Sequence, residues 1–219
     1  MNTSSEENYL KAIYSLSKNS GLTVNTNAVA KHLKTKASSV TDMIKKLHQK
    51  NLLNYKKYKG FLLTRKGEKI SLNTIRKHRL WEVFLVDHLN FKWDEVHDIA
   101  EQIEHINSEQ LINSLDKFLG FPKYDPHGDP IPDKNGKISH HEKFMLSDTK
   151  KDQKVEIVGL LDSSSSFLQY LEKSSIKIGS KIKIKERLDF DSSLIVKLKG
   201  KNINVSEKVT NNLFVKLIK

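Results

Sequence analysis

The sequence predicts an α+β multidomain chain: a helical N-terminal unit closed by a small hairpin, an all-helical middle and a β-rich C-terminal barrel. Three observations predict it. Apolar residues recur at helical spacing from residue 6 to about 119, interrupted near residues 52–64 by two short strand-like runs. All four prolines fall in FPKYDPHGDPIPDKNG, residues 121–136, which reads as a linker or extended loop. Beyond residue 144 the pattern becomes strand-like, with alternation clear in KIKIK and LFVKLIK.

The elements follow in order. Tyr9, Leu10, Ile13, Tyr14 and Leu16 set a first helix over residues 6–18. Asn25 or Thr26 caps a short second helix through Leu33, with Val29, Ala30 and Leu33 inward. After a turn at Lys34–Lys36, a third helix over 37–49 turns Val40, Met43, Ile44 and Leu47 inward. Leu52–Lys57 and Phe61–Thr64 read as strands joined at Tyr58-Lys59-Gly60. Helix, turn, helix and basic hairpin together make a winged helix-turn-helix. Longer helical patterns cover 65–89, 93–106 and 108–119, the last ending at Gly120, and each is strongly apolar on one side, as a dimer-forming layer would be. Strands are expected in KVEIVGL, KIKIKERL, SLIVKLKG, KNINV and NNLFVKLIK, with a helix over 164–173. Short strands of this kind suggest an SH3-like barrel. The domains expected are 1–64, 65–120, a Pro-rich linker 121–143, and 144–219.

Charge separates along the 219 residues. The net charge of +12 points to a polyanionic partner. From Lys31 to Lys66 the only acid is Asp42, whereas from Asp94 to Asp116 there is no Lys or Arg. The basic block suits phosphates, and the acidic block suits a cation. With no cysteine, disulfides, thiolate nucleophiles and Cys-ligated zinc are excluded. No apolar stretch reaches the roughly 20 residues that span a bilayer, and the N-terminus lacks signal-peptide character, so a cytoplasmic protein is expected.

Two constellations carry chemistry. The third helix leaves Ser38, Ser39, Thr41 and Asp42 outside near its N-terminus, the end that a recognition helix directs at base edges. Lys36, Lys45, Lys46, Lys57 and Lys59, with Thr26 and Asn27 at the start of the second helix, complete the expected DNA-binding set. Lys56 also lies on the wing. The second constellation is Glu101-x-x-Glu104-His105, where positions i, i+3 and i+4 share a helix face. His97 lies one turn earlier, and His78 with Glu82 forms a further pair on the preceding helix. By itself the latter pair reads as an exposed ion pair. Together the six groups can form one or two metal sites. Carboxylates and imidazoles without sulfur favour Mn²⁺, with Fe²⁺ as the alternative. His127, His140 and His141 read as loop residues.

These residues resemble the DtxR/MntR family of metal-dependent repressors. The matching stretches are EENYLKAIYSL, KASSVTDMIKKLHQKNLLNY, YKGFLLTRKG, RKHRLWEVFLVDHL, WDEVHDIAEQIEHINS and DPHGDPIP, in the family's order. The resemblance is most specific through about residue 132 and extends to a C-terminal SH3-like (FeoA-type) domain. It implies a homodimer on a palindromic double-stranded operator, repressing metal-uptake genes when metal is plentiful. It assigns a primary site to Asn8, Glu101, Glu104 and His105, and an ancillary site to His78, Glu82 and His97. Iron-responsive members carry a thiol or Met among the primary ligands; Glu101 and Asn8 stand at those positions here, nearer the manganese-responsive branch. That branch usually has a carboxylate where Asn8 stands, and Glu7 is the substitute at hand. In three-domain members the SH3-like domain lends ancillary ligands; the corresponding stretch here is 162–166, with Asp162 followed by four serines. The domain's other candidate role is docking onto the Pro-rich loop. The rival functions are a metal-indifferent winged-helix regulator and a metal-dependent hydrolase. The chain lacks H-E-x-x-H and any Gly-rich phosphate loop, so it is not expected to be an enzyme.

Overall fold

A computed structural model of the chain describes residues 2–20, 23–56, 60–139 and 142–218. It separates into two compact units. The first holds residues 1–78, 101–114 and 132–138; the second holds 79–100, 115–131 and 139–219.

In the first unit, α1 (Ser4–Ser20), α2 (Thr26–His32) and α3 (Ala37–Gln49) precede the hairpin β1 (Leu53–Lys56) and β2 (Gly60–Leu63). α1 begins earlier than the apolar spacing predicts, because Thr3 and Glu6 form a capping box. The Glu6 N–H donates to Thr3 Oγ1 and the Thr3 N–H to Glu6 Oε2. Asn25 caps α2 by accepting from the Ala28 N–H at 2.9 Å. α3 stops at the expected residue because Asn51 takes φ +56°, and the Asn51 and Leu52 N–H groups close onto His48 and Leu47 carbonyls. Leu10, Ile13, Val29, Val40, Leu47 and Phe61 fill the core between these elements. Each such side chain contributes about 1.5–3 kcal/mol through burial. The wing turn, including Lys57 and Lys59, lies outside the described residues.

α4 (Arg65–Leu89) begins at Thr64, whose hydroxyl accepts from the Gly67 N–H. Gly67 is required there, since a Cβ would stand 2.0 Å from the Leu52 carbonyl oxygen. Its residues 65–78 belong to the first unit and 79–89 to the second. α5 (Val96–Ile103) and α6 (Glu109–Phe118) are shorter than the sequence suggests. Residues 93–95 turn rather than coil, and α5 closes with an Ile106 N–H to Ile103 carbonyl bond. Glu104 and His105 therefore sit in the turn after α5, not on its helical face.

The second unit is built on a six-stranded antiparallel sheet, ordered β3-β8-β4-β5-β6-β7. Its strands are β3 (Phe144–Met145), β4 (Lys154–Leu160), β5 (Lys181–Arg187), β6 (Leu194–Leu198), β7 (Lys201–Val205) and β8 (Leu213–Leu217). The two-residue β3 and the short α8 (Glu207–Thr210) carried no sequence signal. Register shifts interrupt β4 between Ile157 and Gly159, and β5 between Ile184 and Glu186. Val155, Ile157, Ile182, Ile184, Val196 and Val215 form the core with Leu168 and Leu171 of α7 (Ser165–Lys173), and Trp93 packs against it. The Pro-rich segment is irregular, as expected, but closely docked. Gly128 has φ +84°, and a Cβ there would lie 2.3 Å from the Val158 oxygen of β4. Only glycine lets the loop reach the strand.

Candidate metal centres and DNA-facing surface

The first cluster lies within the first unit. Glu7, Asn8 and Lys11 share one face of α1. Lys77 and His78 come from α4, Glu101 from the end of α5, and Glu104 and His105 from the turn beyond. Glu104 is fully buried. Its Oε2 is 2.6 Å from His78 Nδ1. The Lys11 ammonium lies 2.5 Å from Glu101 Oε1 and 2.7 and 2.8 Å from the two Glu104 oxygens. His105 Nδ1 is 2.7 Å from Glu7 Oε2, which also faces Lys77 Nζ at 3.6 Å.

Among the described residues, three buried atoms of this cluster have no hydrogen-bond partner: Asn8 Oδ1, His105 Nε2 and Lys77 Nζ. A buried polar atom without a partner is costly, and the first two are ligand atoms. The Glu7 bond places the proton of the neutral His105 ring on Nδ1, so the Nε2 lone pair remains, 3.7 Å from Glu104 Oε1. An amide oxygen, an imidazole nitrogen and nearby carboxylates suit a hard or borderline divalent cation. Glu7, the other carboxylate considered at this end of α1, accepts from the His105 ring here.

The second cluster lies within the second unit. Glu82, Asp125 and His127 are buried, and their ligand atoms all come within 4.8 Å of one another. His97, 63% exposed, brings Nδ1 to 3.6 Å from Glu82 Oε1. His127 donates from Nε2 to the Trp93 carbonyl at 2.8 Å, and its Nδ1 lies 3.8 Å from Glu82 Oε1. Asp125 Oδ1 accepts from the N–H groups of His127 and Asp129, and Arg79 Nε faces its Oδ2 at 3.3 Å. Burial, and then the charges of Glu82 and Asp129, push the Asp125 carboxyl up to about 7 against the pull of Arg79 and His127. The reading of His127 as a loop residue is correct in position but missed this burial, and it missed Asp125 altogether. The available signal was the run D-P-H-G-D, in which an Asp-anchored turn, a glycine and flanking prolines hold a histidine in a fixed orientation. Asp162 directs Oδ1 to the Ser164 N–H, at the turn before α7. His140 and His141 lie outside the described residues.

Lys36, the N-cap of α3, and Ser38, Ser39, Thr41, Asp42, Lys45 and Lys46 on it are all exposed, and Thr26 and Asn27 open α2. The Thr41 hydroxyl donates to the Ala37 carbonyl, and Lys45 lies 3.7 Å from Asp42. Lys46 is engaged elsewhere. Its ammonium is 3.0 Å from Glu6, which Lys50 also holds at 2.7 Å. No helix among the described residues is long and apolar enough to cross a membrane.

Three family models match in order: the iron dependent repressor N-terminal DNA binding domain over residues 1–61, the iron dependent repressor metal binding and dimerisation domain over 64–133, and the FeoA domain over 144–217. The chain is 36% identical over 125 residues to the HTH-type transcriptional regulator MntR of Oceanobacillus iheyensis, covering 57% of this chain and 84% of that protein. It is 35% identical over 126 residues to the iron-dependent repressor IdeR of Mycobacterium leprae, 58% of this chain but only 54% of that protein's length. A manganese-dependent transcriptional repressor solved with manganese superposes with a TM-score of 0.87 at 30% identity, over 97% of this chain and all of that one. The chain belongs to the DtxR/MntR family of iron- and manganese-dependent repressors.

Proposed function

We propose that this chain is a metal-activated DNA-binding repressor of metal-uptake genes, with a binding role rather than a catalytic one. The observation that carries this reading is the pair of unpartnered ligand atoms, Asn8 Oδ1 and His105 Nε2, in a cluster shared by α1 and the turn after α5. Asn8, Glu101, Glu104 and His105 would hold the activating ion; Glu82, His97, Asp125 and His127 would hold an ancillary one. A divalent cation held there would supply two positive charges to the Glu101 and Glu104 carboxylates while also engaging the Asn8 amide oxygen of α1. The chain's own residues carry the consequence onward. Glu7 ties α1 to His105, and Glu6 ties α1 to Lys46 of α3 and to Lys50 just beyond its end, so a shift of α1 reaches the exposed face of α3. Nitrogen and oxygen donors without sulfur support Mn²⁺ ahead of Fe²⁺.

The proposed DNA-bound form is a homodimer on a palindromic operator, where two recognition helices must match half-sites about one helical turn apart. An exposed aromatic face in the second unit supports self-association. Phe118, which is 62% exposed, packs with Phe84 and His88, and Leu89, Phe91 and Phe121 are also exposed. One observation favours a metal-indifferent regulator instead: Lys11 already neutralises Glu101 and Glu104. Fluorescence anisotropy on DNA selected from a random pool separates the two readings. Tight binding with Mn²⁺ and loss of binding in chelator is expected; equal affinity in both supports the metal-indifferent reading.

A further inference from the structure

We propose that Lys11 is a tethered cation that competes with the metal for Glu101 and Glu104, and so sets the concentration at which the site responds. This rests on the assignment of those carboxylates as metal ligands. Three oxygens lie within 2.8 Å of the Lys11 nitrogen: Glu101 Oε1, Glu104 Oε1 and Glu104 Oε2. An ammonium has three N–H donors, so these contacts saturate it. Both Glu104 oxygens are engaged in this way, and one also meets His78. Glu104 is wholly enclosed, and the Lys11 side chain is only 17% exposed, so water screens the pair weakly.

A divalent cation on the same oxygens would meet a positive charge held in place by α1. Lys11 must release them before the carboxylates can turn to a metal. Metal-free, the side chain keeps the buried carboxylates neutralised and the fold intact; metal-loaded, it leaves. Because Lys11 stands one turn from Asn8 on the same helix, the exchange also replaces one tie between α1 and Glu104 by another. Metal affinity is therefore weaker than the donor set alone would give. The deficit is on the scale of one charge-assisted hydrogen bond, about tenfold to hundredfold in Kd.

The test is Mn²⁺ binding to the full chain, read from the electron paramagnetic resonance signal of free Mn²⁺. Lys11→Met, similar in length and uncharged, should tighten the Kd by about tenfold to hundredfold, while Lys11→Arg should stay near wild type. In chelator Lys11→Met should melt below wild type and gain more than wild type from added Mn²⁺. A Kd for Lys11→Met equal to or weaker than wild type overturns the proposal. Acetylation footprinting of the wild-type chain gives an answer that does not depend on the folding of any variant. Lys11 should be protected in chelator and react when Mn²⁺ is added; protection unchanged by Mn²⁺ contradicts the exchange. Glu104→Ala tests the underlying assignment separately. If it binds Mn²⁺ as wild type does, the ligand assignment has failed; if it loses binding while Lys11→Met is not tightened, only the competition has failed.

Discussion

Glu6→Gln removes the negative charge that holds Lys46 of α3 and Lys50, its C-cap, against α1. Glu6 has no exposed surface, receives Lys50 at 2.7 and 2.8 Å and Lys46 at 3.0 Å, and accepts the Thr3 N–H. Burial alone would raise its pKa. The Lys50 hydrogen bonds, the Thr3 N–H and Lys46 outweigh burial and bring the pKa from 4.5 down to about 2. A depression of that size corresponds to about 3 kcal/mol of folded-state stabilisation. Both lysines are about 40–50% exposed, which screens the pairs, so the expected loss for Glu6→Gln is about 1–3 kcal/mol at pH 7. Because the folded pKa is the lower one, this contribution is complete above about pH 4.5 and disappears as pH falls through about 2. Roughly a third to a half of it should be gone by pH 3.5. Urea denaturation of wild type and Glu6→Gln across pH 7 to 3.5 measures the difference, and Lys46→Ala and Lys50→Ala complete a double-mutant cycle. A cost below about 0.5 kcal/mol at pH 7, or one that does not shrink on acidification, refutes the ion-pair account of how α1 holds α3.

Three further outcomes are expected. Gly128→Ala forces a side chain against the Val158 oxygen at positive φ and should destabilise the second unit by about 2–4 kcal/mol, seen as a lower thermal midpoint; an unchanged midpoint contradicts the close docking of the Pro-rich loop. Lys45→Ala should weaken binding to all DNA sequences alike and reduce the salt slope of log K by about 1 per contact; a loss confined to particular sequences would make Lys45 a base reader. Asp125, with its folded pKa pushed up to about 7 from 3.8, keeps a proton that the unfolded chain gives up. In chelator its contribution should therefore be full below about pH 4 and fall by up to about 4 kcal/mol toward pH 7; the stability difference between wild type and Asp125→Asn should change with pH in that sense, and a difference independent of pH refutes it.

Periodicity made α3 and α4 legible, because long amphipathic helices state their buried face in each turn: Val40, Ile44 and Leu47 on α3 are buried as expected. The true start of α1 was also written locally, as Thr3 and Glu6 of a capping box, although the apolar spacing began later. The departures came where distant segments decide. α5 ends before Glu104, so spacing along an ideal helix could not give the geometry of Glu101, Glu104 and His105. The sequence assigns Lys11 no role, and only the fold shows it bridging residues 90 and 93 positions away. Lys46 reads as a phosphate contact for the same reason, since nothing near it in sequence reveals Glu6. Asp125 and His127 fall in a stretch whose prolines announce irregularity, and irregularity says nothing about burial. Their place depends on a glycine that lets the loop touch β4.

The central claim is that the cluster on α1 and the turn after α5 couples metal to DNA. A closed thermodynamic cycle tests it most directly: DNA affinity with and without Mn²⁺, and Mn²⁺ affinity with and without DNA, for wild type and Glu104→Ala. Linkage requires the two ratios to agree. The account predicts a ratio of at least about tenfold for wild type, within the usual range of allosteric coupling, and a ratio near one for Glu104→Ala. A wild-type ratio of one would contradict it.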